Sequence, residues 1–191
     1  MRNLIAFMHM TLDGFVAGPK GELEWATVNE AVYQTIEKQM QDVDSTMYGR
    51  VTYQMMESYW PTVPDNPESS PQELEHAAWV NAIHKVVVSK TLEKVSWNNT
   101  QLINGNVTDE ITNLKQQSGK TIMIFGSPVL THALAKLGLI DGYLLYLNPT
   151  VLGEGVPLFE KGDKGSKLEL IEAKPVDAGV VALRYNVKPV L

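Results

Sequence analysis

The chain has 191 residues, a length that suits one domain, and its 44% apolar and 20% charged residues are ordinary globular composition. It contains no cysteine, which excludes disulfides, thiolate nucleophiles and cysteine-based zinc sites together. A net charge of −6 argues against a broad nucleic-acid face, because phosphate binding needs concentrated basic residues, and only Arg2, Arg50 and Arg184 are arginines.

The first predicted strand is Leu4–Met8, followed by loop signals at Asp13-Gly14 and Gly18-Pro19-Lys20-Gly21. A helix is expected to start near Thr27, since Thr27 and Glu30 have capping-box spacing and Val32, Ile36 and Met40 then form one stripe. Val43–Tyr48 reads as a strand, and Arg50–Tyr59 as a helix with Val51, Met55 and Tyr59 on one face. Trp60 to Pro71 carries four prolines and reads as a long loop beside a site or a subunit contact. Gln72–Ile83 returns to helix, and Lys85–Ser89 is a β-branched run of the kind buried in parallel sheets. Strand Gln101–Asn104, helix Val107–Gln117, strand Thr121–Phe125, helix Pro128–Leu137 closed by Gly138, and strand Gly142–Leu147 follow. Leu168–Val176 and Val180–Val187 flank the hairpin signal Asp177-Ala178-Gly179. The expected fold is α/β: a mostly parallel sheet covered by helices on both faces, three layers in all, with an antiparallel C-terminal hairpin.

In open α/β sheets, ligands bind beyond the carboxyl ends of strands, and three strand-to-helix junctions here carry unusual residues. At Gly49-Arg50-Val51-Thr52, a glycine admits close backbone approach, the helix N-terminus favours an anion, and Arg50 adds a planar donor fork. A plain turn with a solvated arginine is the simpler alternative. Ser89-Lys90-Thr91 sets an ammonium between two hydroxyls, suited to a ribose 2′-phosphate or simply to a polar strand end. At Gly126-Ser127-Pro128, Ser127 is a natural N-cap and Pro128 fits the first helical position, so capping alone explains the pattern as well as a pyrophosphate does.

These junctions, in this order, resemble the dihydrofolate reductase-like superfamily, in the branch related to the C-terminal reductase domain of bacterial riboflavin biosynthesis. Thr11-Leu12-Asp13-Gly14-Phe15-Val16-Ala17, Gly49-Arg50-Val51-Thr52-Tyr53, Ser89-Lys90-Thr91-Leu92 and Gly126-Ser127 carry the likeness. Gly138-Leu139-Ile140-Asp141 and Pro149 to Phe159 extend it over nearly the whole chain. The resemblance implies NADPH bound in an extended pose. Gly49, Arg50, Val51 and Thr52 would contact phosphates, and Ser89, Lys90 and Thr91 would surround the adenosine end. Phe125, Gly126, Ser127, Pro128, Val129 and Leu130 would follow the pyrophosphate and nicotinamide ribose, with Ala17 near the nicotinamide. It also implies a homodimer.

Dihydrofolate reductases carry a pterin-recognising carboxylate on the first helix. Glu30 stands in a comparable place after Trp25, though the cap with Thr27 accounts for it more simply. Glu30 and Asp13 are the candidate proton donors, and Asp13 is equally well a turn residue. Met8, Trp25, Tyr48 and Phe159 are the candidate substrate walls. His9 near the first strand end could face a pocket, although a core or surface histidine is the simpler reading. Gly153-Glu154-Gly155 lacks a third glycine, Ser118-Gly119-Lys120-Thr121 lacks the upstream glycine of a phosphate loop, and the four histidines lack metal-ligand spacing. The expected function is NADPH-dependent reduction of a small, heteroaromatic, pterin- or pyrimidine-like substrate in the cytoplasm, no targeting segment being visible. A non-catalytic nucleotide-binding module on the same fold is the alternative.

Overall fold

Residue alternation in the first strand sets the layers of the fold. In β1 (Leu4–Thr11), Leu4, Ala6 and Met8 join one buried cluster while Ile5 and Phe7 join another, because successive side chains leave a strand on opposite faces. The computed structural model describes residues 1–161 and 165–188. A parallel core of six strands runs β5 (Thr100–Ile103), β4 (His84–Val88), β3 (Val43–Gly49), β6 (Thr121–Phe125), β1, β7 (Gly142–Asn148). The antiparallel hairpin β9 (Leu168–Pro175) and β10 (Val181–Val187) extends it, with β10 on β7 and β9 outermost. Its turn places Ala178 and Gly179 at φ 48° and 79° and is closed by Val180 N–H on Asp177 O at 2.8 Å. A short pair, β2 (Phe15–Ala17) with β8 (Val156–Pro157), sits beside the sheet.

Helices α4 (Val107–Gln116) and α5 (Pro128–Lys136) bury Ile111, Leu114, Leu130 and Leu134 on the Leu4–Ala6–Met8 face. Helices α1 (Glu30–Met40), α2 (Arg50–Tyr59) and α3 (Pro71–Ala82) supply Val32, Ile36, Met40, Tyr53 and Val80 to the opposite face. The three-layer αβα expectation is met, and Gly138 closes α5 at φ 67° with the paired bonds Leu139 N–H to Leu134 O and Gly138 N–H to Ala135 O.

Several local expectations need correcting. Helix α1 begins at Glu30 with Asn29 as its cap, whose Oδ1 accepts from Val32 N–H at 3.0 Å, so Thr27 and Glu30 form no capping box. Thr27 instead donates its backbone N–H to Asn148 Oδ1 at 2.8 Å, a long-range bond that outcompetes the local cap. The capping box that does exist joins Ser70 and Glu73 at the start of α3. Residues 60–71 are not all loop, since Trp60–Asp65 form a 3₁₀ helix. Val51, Met55 and Tyr59 do share one face of α2, but it is the exposed face, and the helix buries Tyr53.

Buried charges fasten the fold. Arg2 pairs with Asp44 and donates to Ser45 Oγ and Lys120 O, and Lys115 pairs with Asp141, which also accepts Leu4 N–H. Lys85, with no exposed surface, donates to the carbonyls of Val80, Asn81 and Ile83 at the end of α3 and lies 4.6 Å above the Trp97 ring. Among the described residues no helix is long and apolar enough to cross a membrane.

Candidate functional site

Strands β4, β3 and β6 are consecutive in the sheet, so their carboxyl ends place Ser89, Gly49 and Gly126 in one row. With strands spaced ~4.8 Å apart, the row spans about 10 Å. A direct bond joins two of the three junctions, as Gly49 N–H donates to Ser127 Oγ at 3.0 Å. The three predicted cofactor segments therefore lie side by side along one edge of the sheet.

The helices that start on this row differ from the others. Asn29, Ser70 and Asn106 cap α1, α3 and α4 with their side chains, whereas α2 and α5 have no side-chain cap. Ser127 stands at the N-cap position as expected, its carbonyl accepting Thr131 N–H at 2.9 Å, but its side chain caps nothing. It takes a left-handed backbone at φ 53°, and its Oγ donates to Phe125 O at 3.0 Å while accepting from Gly49. Two neighbouring helix N-termini thus hold first-turn N–H groups without side-chain acceptors, and their dipoles add positive potential. Gly126 sits at φ 53° with nothing within 4 Å of where a Cβ would be, so the backbone there faces open space. Val51 and Val129, 69% and 79% exposed, stand at the starts of α2 and α5 and give the row apolar flanks. Thr52 is half-buried, Pro128 occupies the first turn of α5, and Leu130 is turned into the core.

The charged candidates are exposed. Arg50 donates to Gln54 Oε1 at 3.2 Å, its one side-chain hydrogen bond among the described residues, and Lys90 and Thr91 lie at the surface. Ser89 differs from expectation: it is buried, and its Oγ accepts from the N–H groups of Thr91 and Leu92 at 3.2 and 3.1 Å. It shapes the turn that presents Lys90. Ala17 is buried in β2, and its carbonyl would lie 2.3 Å from any Cβ on residue 155, which is why glycine stands there.

The two proton-donor candidates are engaged elsewhere. Asp13 accepts Thr11 Oγ1 at 2.6 Å and the N–H groups of Leu152 and Gly153, and these bonds hold its carboxyl below the usual carboxylate range. It is an ionised turn anchor, not an acid. Glu30 is exposed at the first position of α1 and accepts from Gln34 at 3.2 Å.

Two of the four predicted substrate walls also need correcting. Met8, 3% exposed, belongs to the buried layer under α4 and α5. Phe159 is exposed and meets the Tyr143 ring edge-on at 5.4 Å. Tyr48, 1% exposed, is sealed between Trp97 and Phe125. Trp25 is half-buried in the loop that Thr27 ties to Asn148, with its indole N–H on Glu22 O.

The opposite face gathers His9, whose possible place at a pocket the sequence suggested, with aromatic residues that the sequence did not connect to it. Phe7, His9, Phe125 and Tyr146 stand on β1, β6 and β7, with ring centroids of Phe7 5.4 to 5.8 Å from the other three. Trp79 continues the row from Phe125 at 6.1 Å, His76 lies 5.4 Å beyond it, and Trp60 and Tyr33 enclose His76 at 4.5 and 5.8 Å. His9, Tyr33, Trp60, His76 and Trp79 are half-buried, and burial pulls both imidazoles down to about 4, so they are neutral near pH 7. The available signal was period two: Phe7 and His9 share a face that Met8 does not.

A three-layer αβα sheet, mostly parallel and closed by an antiparallel hairpin, with three strand-to-helix junctions on adjacent strand ends, is the frame of a reductase-like domain. The chain belongs to the RibD C-terminal domain family, whose model matches residues 2–182, a family of reductase-like domains. It is 31% identical over 185 residues to the uncharacterized protein YyaP of Bacillus subtilis (strain 168), covering 97% of this chain and 95% of that one. A crystal structure from Shewanella sp. PV-4, described as a riboflavin biosynthesis protein, superposes with a TM-score of 0.76 at 24% identity, covering 98% and 99% of the two chains. Dihydrofolate reductase from Enterococcus faecalis, solved with NADP(H), shares the fold with a TM-score of 0.61 at 15% identity over 98% and 97%.

Proposed function

We propose that this chain is an NADPH-dependent reductase acting on a small heteroaromatic, pterin- or pyrimidine-like substrate, similar to 5-amino-6-(5-phosphoribosylamino)uracil reductase or dihydrofolate reductase. The observation that carries the reading is the pair of uncapped helix N-termini, α2 and α5, joined through Gly49 and Ser127. Backbone N–H groups there suit a pyrophosphate, and the open space at Gly126 admits it. Arg50 and Lys90 would hold the remaining phosphates, with Val51, Thr52, Val129 and Ala17 along the path. NADPH would supply the hydride. The chain's own part is orientation, a dry aromatic surface for the substrate ring, and neutral donors around it.

Titration with NADPH should raise the melting temperature and quench tryptophan emission. No change in either at millimolar NADPH refutes the proposal. The alternative of a non-catalytic nucleotide-binding module is favoured by one observation, the engagement of both candidate carboxylates elsewhere. Stoichiometric NADPH oxidation with any pterin or pyrimidine acceptor would eliminate it. The same reading takes the chain as a homodimer. Its support is the outermost strand β9, paired on one side and exposing Leu170 and Ile171, and light scattering tests it.

A further inference from the structure

We infer that His9 is the specificity-determining residue of the substrate face, presenting a fixed Nε2–H donor that selects a heteroaromatic ring by one of its carbonyl oxygens. This rests on the reductase reading above and deepens it.

Asn148, beside His9, has no exposed surface. Its Oδ1 lies 2.8 Å from Thr27 N–H, a group that can only donate, and its Nδ2 lies 2.8 Å from Tyr146 O, an atom that can only accept. Both neighbours agree, so the orientation of the amide is settled. The second N–H of that Nδ2 faces His9 Nδ1 at 3.4 Å. A neutral imidazole facing a donor must offer its lone pair, so Nδ1 accepts and the proton resides on Nε2. Nε2 has no hydrogen-bond partner among the described residues, and the ring is half-buried rather than sealed. Phe7 and Tyr146 hold it at 5.8 and 5.6 Å between centroids.

A second polar atom on the same face also lacks a partner. Tyr146 is wholly buried, and its hydroxyl makes no hydrogen bond. A buried hydroxyl without a partner costs roughly 1 to 3 kcal/mol, so such groups mark places where a further polar atom belongs. Burial alone lowers His9, so its ring is neutral near pH 7 and meets a ligand as a hydrogen-bonding group rather than as a charge. Here the group that meets the ring is a donor, and the complementary ring presents acceptors. A hydrogen-bonding site rejects an analogue that leaves its buried polar group unpaired far more strongly than an apolar site does.

Lumazine (2,4-dioxopteridine) and 2,4-diaminopteridine have the same ring system and opposite hydrogen-bonding edges. The full-length wild type should bind lumazine at least tenfold more tightly than the diamino compound by fluorescence titration, in the presence of NADP⁺. His9→Phe should lose that preference, and His9→Gln, whose amide can supply a similarly placed N–H, should keep most of it. Long-range ¹H–¹⁵N correlation should show His9 as the Nε2–H tautomer from pH 5.5 to 8 and an Nε2 shift on adding lumazine. Equal preference in wild type and His9→Phe, no lumazine binding to wild type, or an Nδ1–H tautomer each overturns the inference. Thermal stabilisation by NADPH alone separates the two failures. If NADPH stabilises all variants while the preference ignores His9, the His9 assignment falls and the reductase reading stands. If NADPH binds to none of them while the preference still tracks His9, the reductase reading falls.

Discussion

Replacing His76 by phenylalanine should flatten the acid limb of the stability curve. The His76 ring lies among Trp60, Trp79 and Tyr33 at 4.5, 5.4 and 5.8 Å and makes no hydrogen bond among the described residues, so phenylalanine fits the same space. Burial lowers its folded-state value from 6.5 to about 4. Between those values the unfolded chain binds a proton that the folded chain refuses, so stability rises with pH across that window and is lost on acidification. At ~1.4 kcal/mol per pH unit, moving from pH 7.5 to 4.5 costs about 2 to 3 kcal/mol through this one residue. His9 has the same displacement, and His84 shifts in the same direction, so wild type should be markedly acid-sensitive. Carboxylates held below their usual range, such as Asp13, Glu73 and Glu160, act below this window, and Glu37, pushed up by burial and by Glu75, acts with the opposite sign. All four are common to both proteins and cancel in the comparison. Urea unfolding of wild type and His76→Phe at half-unit steps from pH 7.5 to 4.5 gives the difference directly. Parallel curves would mean that the imidazole protonates as freely in the folded state as in the unfolded one, and the reasoning from burial would fail.

Gly126→Ala should cost about 1 kcal/mol, the price of a left-handed backbone on a residue with a Cβ, since nothing else is near; NADPH affinity should fall tenfold or more because the new methyl enters the open space that the pyrophosphate would use. Calorimetry alongside unfolding checks both, and an unchanged affinity moves the pyrophosphate elsewhere. Arg50→Met and Lys90→Met should leave the melting temperature within a degree or two, as both side chains are exposed, while each weakens NADPH binding, and Lys90→Met should narrow the gap between NADPH and NADH. Lys85→Met should destabilise by about 3 kcal/mol or more, because three carbonyls at the end of α3 lose their buried donor together. Asp13→Asn should lower the melting temperature by loosening the turn at Leu152 and Gly153, with any surviving reductase activity keeping its pH profile; loss of the acid-side limb would restore Asp13 as a proton donor.

The sequence alone determined the order of the main-sheet strands and of the five α-helices, the parallel sheet with its hairpin, and where three strand-to-helix junctions fall. These follow from local causes. Thr121–Phe125 is an unbroken apolar run that only a strand covered on both faces can bury, Gly138 supplies the left-handed residue a helix end needs, and Asp177-Ala178-Gly179 supplies a turn. Such signals lie within a few residues of their effect and survive without the rest of the molecule.

What only the tertiary structure decided depends on residues far apart in the chain. Thr27 could not show that Asn148, 121 positions away, would claim its N–H, nor Ser127 that Gly49 would take its hydroxyl in place of a helix turn. The aromatic row took Phe7 and His9 rather than Met8 because the order β6-β1-β7 and the packing of α1 and α3 decide which parity of β1 looks toward it. Alternation announces that a strand has two faces. Which of them meets the ligand depends on which helices cover each face, and that depends on contacts across the whole sheet.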